Sequence, residues 1–428
     1  MDIQQLYQLY LQHPSIQTDT RKLKNGDLFF ALKGPNFNAN EFAKQALDMG
    51  ASYAVVDEIK GEKDERMVVV PDVLSALQSL AKYHRQQFHI PFIAITGSNG
   101  KTTTKELVSA VLGAHYKTYT TEGNLNNHIG IPITLLRVRK DAEMAVIEMG
   151  ANHQREIASY CTYVLLTHGI ITNCGKAHLE GFGGEEGVRK GKGELFDHLR
   201  DNNGTAFIYS DYDYLIDMSR GIRQILTYGT KRADVTGNVR SNEPFLTINL
   251  DDAEAPCIST HLVGEYNLPN VLCAVAIGKF FGVPMATIKT AIENYQPSNS
   301  RSQMLQSGSN HIILDAYNAN PSSMKAAIEN FAKIKAVKKV LVLGAMMELG
   351  DESLAEHEAL VRLIQQYRWD HVVLVGGDFK KIDHPFTYFP DSAAAAQWFR
   401  EQQFEDAHIL VKGSRSMQME KVTATVKD

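Results

Sequence analysis

The amino-acid sequence predicts an α/β protein of three consecutive domains. These are a small α/β unit over residues 1–89, a central parallel-sheet domain over 90–299, and a Rossmann-like domain over 300–428. Three observations carry this. The chain has 428 residues, too long for one ordinary core. A short apolar run at 92–95 breaks into a glycine turn and re-emerges as a helix pattern. In the last third, apolar runs at 312–314, 340–343, 372–375 and 409–411 alternate with helical stretches such as SSMKAAIENFAKI and SAAAAQWFREQQ. That alternation is the signature of a parallel sheet with crossover helices.

The chain opens on an amphipathic stretch, MDIQQLYQLYLQHP, in which no signal peptide is read. A turn at Asn25-Gly26 precedes a strand at 28–32, and FNANEFAKQALDMGASYAVVDE gives a helix ending at Gly50 and a strand at 53–56. A second helix spans 73–88. Thr18, Asp19, Thr20 and Arg21 form a polar cluster before a strand. They either cap a turn or hold a diphosphate through the arginine and hydroxyls.

Residues 91–107, PFIAITGSNGKTTTKEL, organise the central domain. The strand gives way at Thr96, the chain turns through Gly97, Ser98, Asn99 and Gly100, and a helix follows with Leu107, Val111 and Leu112 on one face. Backbone N–H groups of such a loop point into one concavity, and the helix dipole adds positive potential there. Lys101 is placed to reach β- and γ-phosphates, and the hydroxyl of Thr102, followed by Thr103, to ligate Mg²⁺. Ile95 stands where the usual P-loop has its first glycine, so the motif is the shortened T-G-x-N-G-K-T-T. The reading is a nucleoside-triphosphate site in a P-loop ATPase-like domain; the bland alternative is a glycine turn with an incidental lysine.

Downstream, a polar loop over 122–128, with Asn124, Asn126 and Asn127, lies between apolar stretches. Glu148 ends a strand over 144–147, where a carboxylate can hold Mg²⁺ beside a phosphate loop. A third strand is expected at 163–167, continuing through 170–172 into NCGKAHLEGFGG and VRKGKGELFDHL. By themselves His178 and Lys192 in those segments are as readily a structural histidine and a solvated cation. In the last domain Tyr317, Asn318, Asn320, Lys412, Ser414 and Arg415 fall at carboxyl ends of strands, where open sheets bind ligands.

Composition narrows the class. With 44% hydrophobic and 22% charged residues the chain reads as a soluble globular enzyme, and no apolar run is long enough to span a bilayer. Cys161, Cys174, Cys257 and Cys273 form no C-x-x-C pair, which argues against a disulfide frame or structural zinc and for the cytoplasm. A net charge of −5 and no basic stripe argue against a nucleic-acid partner.

TGSNGKTT, EMG at 148–150, ITNCGKAHLEGFG and KGELF together resemble the Mur ligase superfamily, ATP-dependent amide-forming enzymes of peptidoglycan assembly. LDAYNANPSSM, LGAMMELGDES with His357 after it, LVKGSRSM and the N-terminal TDTRKLKNGDLFFALKGPNFN resemble the member that acts last in the cytoplasm. The resemblance implies a nucleotide-sugar domain, an ATP domain and an acceptor domain, in that order. It implies joining of D-alanyl-D-alanine to a UDP-N-acetylmuramoyl tripeptide through an acyl phosphate, by a monomer without nucleic-acid or membrane partners. Thr18, Asp19, Thr20, Arg21, Asn124, Asn126, Asn127, Tyr317, Asn318, Asn320, Lys412, Ser414 and Arg415 would contact those substrates.

By the same resemblance, residues 96–103, Asn267, Asn270, Arg301 and Asp315 would bind ATP. Thr102 and Glu148 would hold one Mg²⁺, and His178 a second. Lys192 matches the family lysine that CO₂ converts to a carbamate, with Lys190 its less well spaced neighbour. Lys101, Lys192, His178 and Arg301 would be catalytic. Tyr266 stands where a histidine is common, Ala345 where an acid is, and Asn38-Ala39-Asn40 replaces an N-G-H-like motif. The alternatives within the class are the neighbouring ligase that adds the third amino acid and a folate polyglutamylating enzyme. Outside it stands a P-loop switch or motor, against which no N-K-x-D motif is present.

Overall fold

The computed structural model describes residues 1–253, 257–298 and 300–424; Asn299, in the stretch QPSNSR at the boundary expected between the second and third domains, lies outside them. Three main sheets follow one another along the chain. The first has four parallel strands in the order Ile16–Gln17, Leu28–Phe30, Tyr53–Val56, Met67–Val69. The second has nine, running Cys257–Ser259, Thr247–Leu250, Val235–Ser241, Gln224–Gly229, Thr205–Tyr209, His168–Ile171, Phe92–Thr96, Met144–Glu148, Thr118–Thr120. Its first three strands pair antiparallel and the rest are parallel. The third has six, in the order Gln303–Ser307, Asn310–Asp315, Ala407–Lys412, Lys338–Gly344, His371–Val375, Thr387–Phe389, with only the first antiparallel.

The apolar runs are strands because both faces of each parallel sheet are covered. Phe92, Ile93, Ala94 and Ile95 are all buried, as are Val340, Leu341, Val342 and Leu343. Helix Leu268–Phe280 is buried all round and packs on the helix Lys101–Gly113 that follows the glycine turn. That packing fixes the axis along which the turn is aimed.

One expectation is corrected. Residues 163–167 are not a strand: Tyr163 and Val164 end the helix Glu156–Val164, which Leu165 closes in a left-handed conformation. The strand begins only at His168. An apolar run this short does not separate a helix end from a strand, and burial of Tyr160, Cys161, Tyr163 and Val164 made both patterns read alike.

The first sheet is joined to the second by side chains as well as by chain. Helix Val73–Arg85 packs on Ile3–Gln12 and on the central helices Gly130–Arg137 and Glu156–Val164. The His84 ring sits between the Tyr7 hydroxyl at 3.1 Å and the Val138 carbonyl at 2.8 Å. Arg85 donates to the carbonyls of Val164 (2.9 Å) and Leu165 (2.8 Å), at the end of a helix where carbonyls lack partners within the helix.

Candidate active site

The glycine turn lies where the strand Phe92–Thr96 parts from its two neighbours, the switch point of the central sheet. Gly97 has φ +143° and Gly100 φ +80°, values that side-chain-bearing residues rarely adopt. The strand-end residues Thr172 and Asn173 clamp the turn: Ser98 N donates to the Asn173 carbonyl (2.9 Å), Asn99 N to Asn173 Oδ1 (3.0 Å), and the Thr172 hydroxyl to the Asn99 carbonyl (2.6 Å). Lys101 Nζ donates to the carbonyls of Gly97 (2.6 Å) and Ser98 (3.3 Å). Burial holds its ammonium below the usual value, against the pull of Glu148.

Glu148 is 1% exposed at the end of its strand. Its Oε1 accepts from the Thr102 hydroxyl (3.2 Å) and from Asn126 Nδ2 (2.7 Å), while Oε2 is buried with no partner among the described residues. A buried carboxylate oxygen left unpaired costs several kcal/mol unless a cation meets it. The donor set, one carboxylate and one hydroxyl at a phosphate loop, fits Mg²⁺, which takes few protein ligands and completes its shell with water and phosphate.

Around this lies a cavity of about 770 Å³ between the second and third sheets. Ser98, Asn99, Gly100, Lys101, Thr102 and Thr103 form its floor, and Asn126, Asn127, Glu148 and His178 one wall. Asn267, Asn270, Arg301, Asp315, Tyr317, Asn318, Asn320 and Lys412 form the other. Asn270 Oδ1 accepts from Thr104, and its amide donates to Asn267 Oδ1 (2.8 Å), whose amide reaches the Val263 carbonyl (2.9 Å). Tyr266 has its hydroxyl 3.0 Å from Ser302 Oγ, and Ser302 N donates to Asp315 Oδ1. Lys412, 2% exposed, donates to Asp315 Oδ2 (2.6 Å) and the Asn318 carbonyl (3.2 Å). The Arg301 guanidinium lies 3.6 Å from the Tyr317 ring centre. Asn320 caps the helix Pro321–Lys333 through Oδ1 and crosses to the glycine turn through Nδ2, 2.8 Å from Asn99 Oδ1.

Other expected residues lie off this cavity. Thr18, Asp19, Thr20 and Arg21 form a capped turn beside the first sheet, with Arg21 paired to Asp19. Thr96 is buried under the turn, donating to the Met149 carbonyl (2.8 Å), and Asn124 is not in the lining. Ser414 is 2% exposed and donates to the Ala345 carbonyl (2.7 Å), and Arg415 pairs with Glu420. Lys192 is behind the wall, 1% exposed, with Nζ 3.0 Å from the Ala151 carbonyl, whereas Lys190 is on the surface with Glu186. Burial first, then the Lys101 charge, push the Lys192 ammonium down to about 7. Conversely, Thr172, Asn173, Glu156, Tyr160, Tyr212 and Tyr214 line the cavity without having been singled out in the sequence. Thr172 and Asn173 lie in the ITNCGK segment, and the tyrosines carry no local signal.

Residues 95–278 match the Mur ligase middle domain, and residues 300–415 the Mur ligase, glutamate ligase domain. Over 429 residues the chain is 36% identical to the UDP-N-acetylmuramoyl-tripeptide–D-alanyl-D-alanine ligase of Escherichia coli, covering 97% of this chain and 94% of that one. The protein of the same name from Bacillus subtilis is 32% identical over 428 residues, 96% of this chain and 92% of its own. This chain belongs to the Mur ligase family. The ligase also superposes on the crystal structure of MurF from Acinetobacter baumannii with a TM-score of 0.88 at 32% identity, covering 99% of this chain and 98% of that one. With MurF from Thermotoga maritima, solved in complex with ADP, the TM-score is 0.85 at 25% identity over 96% of each chain.

Proposed function

We propose that this Mur ligase joins D-alanyl-D-alanine to a UDP-N-acetylmuramoyl tripeptide at the expense of ATP, the last amide bond of a peptidoglycan precursor. The observation that carries the reading is one cavity in which the glycine turn and the Tyr317–Asn320 face meet through Asn99 and Asn320, in a chain similar over its length to ligases of that name.

Amide formation in water needs an activated carboxylate. The tripeptide carboxylate attacks the γ-phosphorus, ADP leaves, and the dipeptide amine displaces phosphate from the acyl phosphate through a tetrahedral intermediate. Anions converge in the first step, so the site's task is neutralisation and alignment. Lys101 and the turn's N–H groups take the β- and γ-phosphates, and Arg301 approaches them from the opposite wall. Asn267, Asn270 and Asp315 bind the nucleoside part of ATP. Thr102 and Glu148 would hold Mg²⁺, which supplies charge neutralisation and in-line orientation of the γ-phosphate.

His178 would serve a second cation near the acyl phosphate, together with Lys192 as a carbamate. The amine adds to CO₂ and releases one proton, giving an anionic oxygen ligand. A lysine held near neutrality by burial supports that chemistry, since only the free amine reacts. Asn318 and Asn320 suit the dipeptide's amide, and Lys412 its carboxylate. Ser414 is buried against the Ala345 carbonyl, the Arg415 guanidinium stands 5.9 Å from the Tyr317 ring centre, and Thr18–Arg21 would meet the UDP part beside the first sheet. On this reading the enzyme works as a monomer in the cytoplasm.

With ATP, Mg²⁺ and the UDP-tripeptide supplied, phosphate release should depend on D-alanyl-D-alanine. Free D-alanine, L-lysine, diaminopimelate and L-glutamate should support little, because polar groups left unpaired cost about 1–3 kcal/mol each. Turnover with diaminopimelate or lysine on the UDP-dipeptide would move the protein to the preceding step. Glutamate addition to a folate would remove it from cell-wall synthesis.

A further inference from the structure

We propose that Glu348, carried by the third domain, is a positioning residue that fixes the ring of His178 across the domain boundary. The His178 imidazole lines the cavity from a left-handed backbone position, φ +53°. Its Nδ1 lies against Glu348 Oε2 in a contact that falls outside hydrogen-bond geometry, and it has no hydrogen-bond partner among the described residues. Glu348 also sits in the left-handed region, φ +62°, a strained conformation for a side-chain-bearing residue. Its backbone carbonyl accepts from Glu180 N, two residues beyond His178. The turn thus grips the His178 segment twice, once by main chain and once by carboxylate.

The chemistry of the pair decides what His178 can do. A carboxylate only accepts, so a hydrogen bond between the two groups requires the ring proton on Nδ1. Nε2 is then free to offer its lone pair, the arrangement in which a carboxylate behind a histidine fixes tautomer and ring angle for a ligand in front. Because Glu348 belongs to the acceptor-side domain, His178 is oriented only while that domain is docked. Activation of the carboxylate is thereby tied to the presence of the domain that carries the amine. This rests on the reading of His178 as a group that serves the acyl phosphate.

Glu348 has a side chain 53% exposed, so removing it opens no core cavity. In Glu348→Ala, kcat should fall about 10- to 100-fold while KM for D-alanyl-D-alanine stays within about threefold. Glu348→Gln, whose carbonyl still accepts from Nδ1, should recover most of the rate. Independently of turnover, ring-nitrogen NMR of histidine-labelled enzyme should show His178 as one Nδ1–H tautomer in the parent and in Glu348→Gln, and as a mixture in Glu348→Ala. His178→Ala assigns the signal and separates the readings. If His178→Ala is crippled while Glu348→Ala keeps the parent rate and tautomer, the positioning role is overturned. If His178→Ala itself turns over normally, the role of His178 fails and this proposal with it.

Discussion

A lysine ammonium enclosed beside the Ala151 carbonyl and 4.9 Å from the centre of the Phe182 ring is a costly place to keep a permanent charge. If Lys192 works as a carbamate, Lys192→Arg should be as damaging as Lys192→Ala, since arginine retains the charge but cannot add CO₂. Formate should partly restore the alanine variant by supplying the missing carboxylate. An arginine variant with parent-like phosphate release would remove the carbamate from the mechanism. At this scale the sequence was legible where a residue's task is local. Thr102 and Glu148 were read from a turn and a strand end, and they meet at 3.2 Å. Glu348 was not, because its partner is 170 positions earlier and nothing in LGAMMELGDES announces a histidine across a domain boundary.

The glycine turn is an element tightly specified by packing. A Cβ on Gly97 would lie 2.0 Å from Thr172 Oγ1 and 3.1 Å from the backbone of Asn173, the residues that clamp the turn. Gly97→Ala should therefore cost about 1–3 kcal/mol of stability and at least ~10²-fold in turnover, because the whole phosphate cradle must shift. Urea unfolding and phosphate release measured on the same preparation check both; a variant with parent-like turnover would mean that the turn does not touch the reacting phosphates. Strands and helices of the last domain were legible from their alternation, and the turn from its glycines. The helix ending at Val164 was not, since its apolar residues are buried on a short span and its left-handed stop is a leucine. Long-range pairing also escaped: the strand Thr118–Thr120 at the sheet edge and the antiparallel pair Thr247–Leu250 and Cys257–Ser259 carry weak local patterns.

Across the whole molecule, buried neutral histidines sit at each level of the architecture. His84 lies at the first junction, His168 among Phe207, Phe280 and Phe281, and His357 between Met346 N and the Ser353 carbonyl. Burial lowers all three, His168 from 6.5 to about 4. The unfolded chain then takes up protons that the folded chain refuses. The stability His168 contributes is full above about pH 6.5 and is lost as pH falls towards about 4, up to roughly 3 kcal/mol, and His84 and His357 act in the same direction. Urea midpoints should drop through that window, and His168→Leu should flatten the slope; an unchanged slope would show that this ring stays neutral in both states. The shared core at the first junction bears on how such enzymes can be recombined. Leu6, Tyr7 and Tyr10 and the helix residues Leu77 and Leu80 belong to one apolar cluster with Ile131, Leu135 and Leu136 of the central domain. A graft that exchanged residues 1–89 for those of another ligase would inherit a foreign half of that seam. Modularity here therefore follows the seam and not the linker: a working chimera must carry the matching face of Gly130–Arg137 along with its new head.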